Sequence, residues 1–305
     1  AGGLALIGAL ALASGAALAS GNGNGNAGTV ERLTLAGDAD IALWPAVTLL
    51  ADPDDRFDAA ALAGQRNRFT RPEGVPGNLG RRDETVWLRA RLVVPGPEAA
   101  RRVLEIDYPP LNRVDLYLLR DGQVLSHQLM GNALRGSERP LASRTHAAPL
   151  TLAAGEYELL LRVQTLSSMV VPMTLRTQAS FTAYEARVQM VQGLIFGVAL
   201  CMLMYSLLHW LNLRDIVFGY YALLLVGNMV FMLTYFGIGP QWLWPEWPAL
   251  SMQVAPLGVL RAVVAGAPFM NNTLAVREVS PLASRLMRAL GAAALLGLAA
   301  NLTGL

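Results

Sequence analysis

The stretch VQMVQGLIFGVALCMLMYSLLHWLNL, residues 188–213, runs for 26 positions without a charged side chain. A helix rises ~1.5 Å per residue, so about 20 apolar residues cross the hydrocarbon core of a bilayer. This run is long enough to do so, and it divides the chain. Between Thr29 and Arg187 there are 19 Arg and 19 Asp or Glu, the charge density of a soluble domain with no net charge. Between Val188 and Leu305 there are five Arg and three acids. The 305 residues together are 53% hydrophobic and 15% charged, with a mean hydropathy of +0.39. Soluble domains carry roughly 25% charged residues, so a single soluble globule is excluded.

Downstream, residues 216–245 hold no charge, 247–276 hold only Arg261, and 289–305 hold none. The pattern predicts an α-helical transmembrane region over 184–305, with four helices near 188–211, 216–236, 250–274 and 287–305. Arg214, Arg277, Arg285 and Arg288 fall in the 211–215 and 275–288 loops. The 237–249 loop has no Arg and carries Trp242, Trp244 and Trp247. Positive loops stay in the cytoplasm and tryptophans mark the interface, which puts 237–249 outside, on the side of the N-terminal domain.

Upstream, the period is two. TVWLRARLVV (85–94) sets Val86, Leu88, Ala90 and Leu92 against Arg89 and Arg91. RVDLYLL (113–119) and EYELLLRVQ (156–164) alternate in the same way. Alternation with one wet face is the mark of antiparallel sheet. Asp121-Gly122 reads as a hairpin turn and Ala153-Ala154-Gly155 as a second turn. About eight short strands over 29–183 predict an all-β sandwich or jelly roll.

At the start, LALIGALALASGAALA (4–19) ends in Ala17-Leu18-Ala19, an A-x-A pattern. We expect residues 1–19 to be a secretory signal lacking its basic start, and 20–28, with GNGNGN, to be a linker. The competing reading, a first membrane helix, fits a short run rich in Ala and Gly less well. The last apolar run is expected to be cut at Leu305.

Several function classes fall away. The 24 basic residues are all Arg, so no lysine is available for a P-loop or a Schiff base. No basic cluster tracks phosphates, which argues against nucleic acid. His127, His146 and His209 are isolated, and there is no HExxH or CxxC, so neither a metal nor another cofactor is expected. Asp52, Asp54 and Asp55 lack the ordered spacing of a Ca²⁺ loop and read as a solvated turn. Asn271-Asn272-Thr273 and Asn301-Leu302-Thr303 lie in membrane runs and are chance N-x-T matches. No catalytic constellation is present.

WPAVTLLADPDDRFD (44–58), NLGRRDETVWLRARL (78–92), YPPLNRVDLYLLRDGQ (108–123), the Gly131…Arg144 segment and VPMTLRTQASF (171–181) follow one another in order. So do GLIFG (193–197), Tyr205, LRDIVFGYYAL (213–223), GIGPQWLWP (237–245) and TLAVREVSPLASRLMRAL (273–290). The series resembles the bacterial seven-transmembrane receptors with diverse intracellular signalling modules over roughly residues 30–305. The resemblance implies an extracellular jelly-roll sensor akin to carbohydrate-binding modules, seven helices of which four are present, and a cytoplasmic output such as a diguanylate cyclase or histidine kinase. It implies a glycan-like or other small periplasmic ligand and a bacterial inner membrane.

Within that frame Trp87, Tyr108, Tyr117 and Arg144 are the candidates for sugar contact, since aromatic faces stack on pyranose rings and Arg bonds hydroxyls. Packing and salt bridging are the plainer roles for the same residues. Arg144 matches an Arg recurring in the family. Arg261, a charge in mid-membrane, needs a polar partner, for which Asn228 is available. Gly193, Gly197 and Cys201 form a small-residue stripe that permits close helix contact, inside the bundle or between two copies of a homodimer. The rival readings are a membrane-anchored glycan-binding module and an envelope transport or assembly subunit.

Overall fold

The protein is described here from a computed structural model, covering residues 32–96, 99–253, 264, 266–270 and 280–303. The expected signal and linker, Arg261 and most of the third predicted helix lie outside the described residues. Among those residues, twelve strands precede the long helices. They are β1 (Leu33–Thr34), β2 (Ile41–Ala42), β3 (Thr48–Asp52), β4 (Asn78–Arg81), β5 (Thr85–Val94) and β6 (Ala100–Ile106). The rest are β7 (Arg113–Arg120), β8 (Gln123–Met130), β9 (His146–Leu152), β10 (Gly155–Gln164), β11 (Ser168–Val170) and β12 (Met173–Arg176).

The first sheet runs β1-β5-β10-β7-β8, with β3 also on β5, and the second runs β2-β12-β6-β9. A short pair, β4 with β11, stands apart. Asp121 and Gly122 take φ of 50° and 78°, the left-handed pair that a tight β7–β8 hairpin requires. The Ala153-Ala154 turn joins β9 to β10 and so carries the chain from one sheet to the other. Registers place Leu88 and Leu116 beside Leu161, and Ala90 and Leu118 beside Leu159. These side chains face Leu104, Ile106, Ala148, Leu150 and Leu175 of the second sheet in one buried core. Each fully buried side chain of this size contributes about 1.5–3 kcal/mol.

The outer faces differ from the simple expectation of one wet side. Outside the first sheet, Trp87, Leu119 and Leu160 pack under Ala59 and Leu62 of a single helical turn, with Phe57 and Phe69 alongside. Arg89, read as solvent-facing, is buried there, ion-paired with Glu158 and set over the Phe69 ring. The alternation is real, but the chain between β3 and β4 roofs its polar side. Outside the second sheet, Val103 and Ala147 pack against Phe181.

Phe181 belongs to α1, Gln178–Leu213. At 1.5 Å per residue this helix is about 54 Å long, well beyond the ~30 Å of a hydrocarbon core. It starts ten residues before the uncharged run, capped by Thr177, whose side chain accepts from Ser180 N at 3.1 Å. Arg214 closes it at φ 54°, and Asp215 caps α2, Ile216–Tyr235, by accepting from Val217 N. Both helices are long and apolar enough to span a membrane. Residues 248–253 and 266–270 are helical, and α3 covers Pro281–Thr303, beginning earlier than the predicted 287.

Candidate functional site

The sandwich meets the membrane helices through a buried polar junction, and Arg144 is its centre. β12 ends at Arg176 and α1 begins at Gln178, with only the cap residue between them. The first turns of α1 therefore lie against the outer face of the second sheet, which presents Glu105 and, at its end, Asp107. Arg144, 3% exposed, bonds Asp107 at 2.8 Å and lies 2.9 Å from the Glu185 carboxylate on α1. Ser143 donates to Glu185, Tyr184 donates to Asp107 at 2.7 Å, and Arg176 pairs with both Glu105 and Asp40.

The same loop of the sandwich rests on the turn after α2. Gly136 N donates to Pro245 O, and Ser137 bonds Glu246 through both its N–H and its hydroxyl. Gly237 sits beneath the Arg144 carbonyl with φ 77°, where a Cβ would overlap that oxygen. Tyr108 meets Tyr235 edge to face at 6.2 Å, and Gln189 of α1 donates to Gln241. The sandwich and the 237–246 turn are thus at one end of the helices, and the Arg214–Asp215 turn is at the other. This agrees with the orientation drawn from arginine placement.

The candidate sugar residues are not assembled as one site. Tyr108 and Arg144 belong to the junction. Trp87 is 1% exposed, and its Nε1 donates to Asp52 at 3.2 Å. Tyr117 lies between Trp87, 6.0 Å away, and His127, 4.4 Å away, so both of its ring faces are occupied. Beside this row the buried Asp115 accepts from Arg113, Arg162 and His127. Burial pushes the Asp115 carboxyl up, but the Arg113 and His127 hydrogen bonds and the charges of Arg113 and Arg162 outweigh it, leaving the group below its usual 3.8. A carboxyl lowered on folding stabilises above 3.8 and loses that contribution as pH falls through its folded value. Asp115→Asn should therefore cost about 1.5–3 kcal/mol near neutral pH, and urea titrations should find the gap narrowing below pH 3.8.

A polar cleft of about 240 Å³ opens elsewhere on the sandwich, lined by Thr70, Arg71, Glu73, Asn78 and Arg82 together with Leu49 and Leu79. In the membrane part, Asn228 is exposed on α2, and Gly193, Gly197 and Cys201 are exposed on α1. A Cβ at either glycine meets nothing within 4 Å, so the two glycines make no close contact with a described helix, whereas Cys201 borders a cavity that Phe218 and Tyr221 of α2 also line. Sequence reading missed Glu105, Asp107, Arg176 and Glu185; the charges at 185 and 187, just before an uncharged run, were the available signal.

Comparison with known proteins bears on this architecture. No curated protein matches the chain. Among solved structures it is similar to a β-glucosidase from Paenibacillus barengoltzii at 20% identity and a TM-score of 0.18. That match covers 28% of this chain and 9% of the other, too loose to carry an argument. Residues 45–177 match the family described as 7TMR-DISM extracellular 2, which is the sandwich. Residues 188–304 match 7TM diverse intracellular signalling, which is the helical part. With both domains in the family's order, this chain belongs to the seven-transmembrane receptors with diverse intracellular signalling modules, and it is a transmembrane signalling receptor with an extracellular sensor.

Proposed function

We propose that the sandwich binds a small, hydroxyl-rich, carbohydrate-like ligand in the periplasm of a bacterium. The Arg144 junction passes that event into α1 in the inner membrane. A cytoplasmic output module, such as a diguanylate cyclase or histidine kinase, would read the helix arrangement, in one copy or a homodimer. The observation that carries this reading is the direct continuation of β12 into α1 through Thr177 alone. A shift of the second sheet has no flexible linker in which to dissipate before it reaches the helix. Binding can drive such a shift only through different affinities for two junction states.

For the ligand we favour the cleft over the aromatic row, because Arg71, Glu73, Asn78 and Arg82 offer donors and acceptors for hydroxyls, whereas the faces of Tyr117 are taken. The test is hydrogen exchange on the whole chain in lipid nanodiscs, with and without oligosaccharides from a glycan panel. The expected result is protection of residues 70–82 by a binding sugar, together with altered exchange at 143–147 and 178–187. Sugar binding that leaves the junction unchanged would sink the relay and favour the anchored binding module.

A further inference from the structure

We propose that the Glu105 carboxyl is a proton-operated latch: protonated, it holds the sandwich docked on α1, and ionised, it weakens that docking. This rests on reading the junction as the relay. Glu105 is 1% exposed, at the centre of a junction in which four carboxylates, Asp40, Glu105, Asp107 and Glu185, share two guanidinia, Arg144 and Arg176. Every packed element contributes. From the same strand comes Asp107; from β12, Arg176, which Glu105 must share with Asp40. The 143–145 loop supplies Thr145, whose hydroxyl donates to Glu105 at 3.4 Å, and Arg144, which is committed to Asp107 and Glu185. From α1 come Glu185 and the Tyr184 hydroxyl.

The nearby His146 is neutral, since burial and the Arg139 charge push it down to about 3. It cannot supply the missing positive charge. Partial neutralisation therefore falls on the most enclosed acid. Burial first, and then the Asp107 and Glu185 charges, push the Glu105 carboxyl up to about 7 against the pull of Arg176. Separation of sandwich and helix would expose Glu105 to water and return it toward 4.5. A carboxyl raised in the docked state favours docking fully below its free value, and that contribution is lost as pH rises through the docked value. Acid thus tightens the junction and mild alkali loosens it.

The test uses the full chain in nanodiscs. Exchange of residues 143–147 and 178–187, corrected for the intrinsic pH effect, is followed from about pH 5.5 to 8.5, where one linked proton gives at most tenfold per unit. In the wild type, protection should fall several-fold above neutrality. Glu105→Gln should hold it at the low-pH level throughout. An unchanged slope in that variant, or a flat wild-type profile, overturns the latch. Should Glu105→Gln misfold, isotope-edited infrared titration of the wild-type glutamate carboxyls decides: a protonated band lost near neutrality supports the latch, and loss of all such bands below pH 5 overturns it. A flat pH profile beside a sugar response at 178–187 removes the latch and leaves the relay. A pH slope with no sugar response removes the relay and leaves the latch.

Discussion

Replacement of Arg144 by methionine should destabilise the extracellular part of the chain by about 3–5 kcal/mol, the cost of removing one partner from a buried ion pair. Methionine fills much of the same volume, so the loss isolates charge from packing. The guanidinium faces Asp107 on the sheet and Glu185 on α1, and its side chain is 3% exposed. Without it Asp107 keeps the Tyr184 hydroxyl, and Glu185 keeps the Ser143 hydroxyl and a long, 3.5 Å bond from the Gln189 amide, all of them neutral donors. For a domain of this size the change corresponds to roughly 6–20 °C in midpoint, readable by thermal or urea unfolding of the chain in nanodiscs. A double-mutant cycle with Glu185→Gln sharpens the test. If the two act as a pair, the second substitution should recover part of the loss. A drop below about 1 kcal/mol, the range of solvent-exposed pairs, would mean that the junction is open to water.

That junction was the least legible part of the molecule. The sandwich and the spans were readable because both announce themselves by period. Val86, Leu88, Ala90 and Leu92 fall on one face by alternation alone, and the run from 188 to 213 needs only the absence of charge. The length of α1 was not readable that way. A hydropathy reading sees where the chain becomes apolar, and Glu185 and Arg187 hide the helical turns that come before. The role of Glu185 emerges only when Thr177 caps the helix and turns that carboxylate onto the Arg144 loop, while Arg187 stays exposed. Trp87 misled for a related reason. Its aromatic face made it a candidate for sugar stacking, but it stands on the polar side of its strand and the segment around Ala59 and Leu62 covers it. Alternation specifies which side a residue is on and is silent about what lies over that side. Arg144 lies in ion pairs with Asp107 and Glu185, which is the plainer of the two readings its sequence offers.

The second large effect concerns a glycine with no side chain to announce it. Gly237→Ala should loosen the sandwich from the α2 turn by about 2–5 kcal/mol, from two separable sources. The left-handed φ of 77° costs a non-glycine residue about 1–2 kcal/mol. The new methyl would also overlap the Arg144 carbonyl oxygen and crowd the Pro109 ring, and overpacking of this kind adds about 1–3 kcal/mol. Gly122→Ala provides the control, because Gly122 has φ 78° but open space where its Cβ would stand. It should pay the strain alone. Hydrogen exchange of residues 131–145 should rise in the Gly237 variant and stay near wild type in the Gly122 variant. The overlap is with backbone, so relieving it must separate the α2 turn from the Arg144 loop, and it disturbs the guanidinium that holds Asp107 and Glu185. Gly237→Ala should therefore reproduce at α1 the exchange signature of Arg144→Met, although it removes no charge. Equal effects of the two alanines would show that backbone strain alone acts at 237, and that the α2 turn does not press on the Arg144 loop.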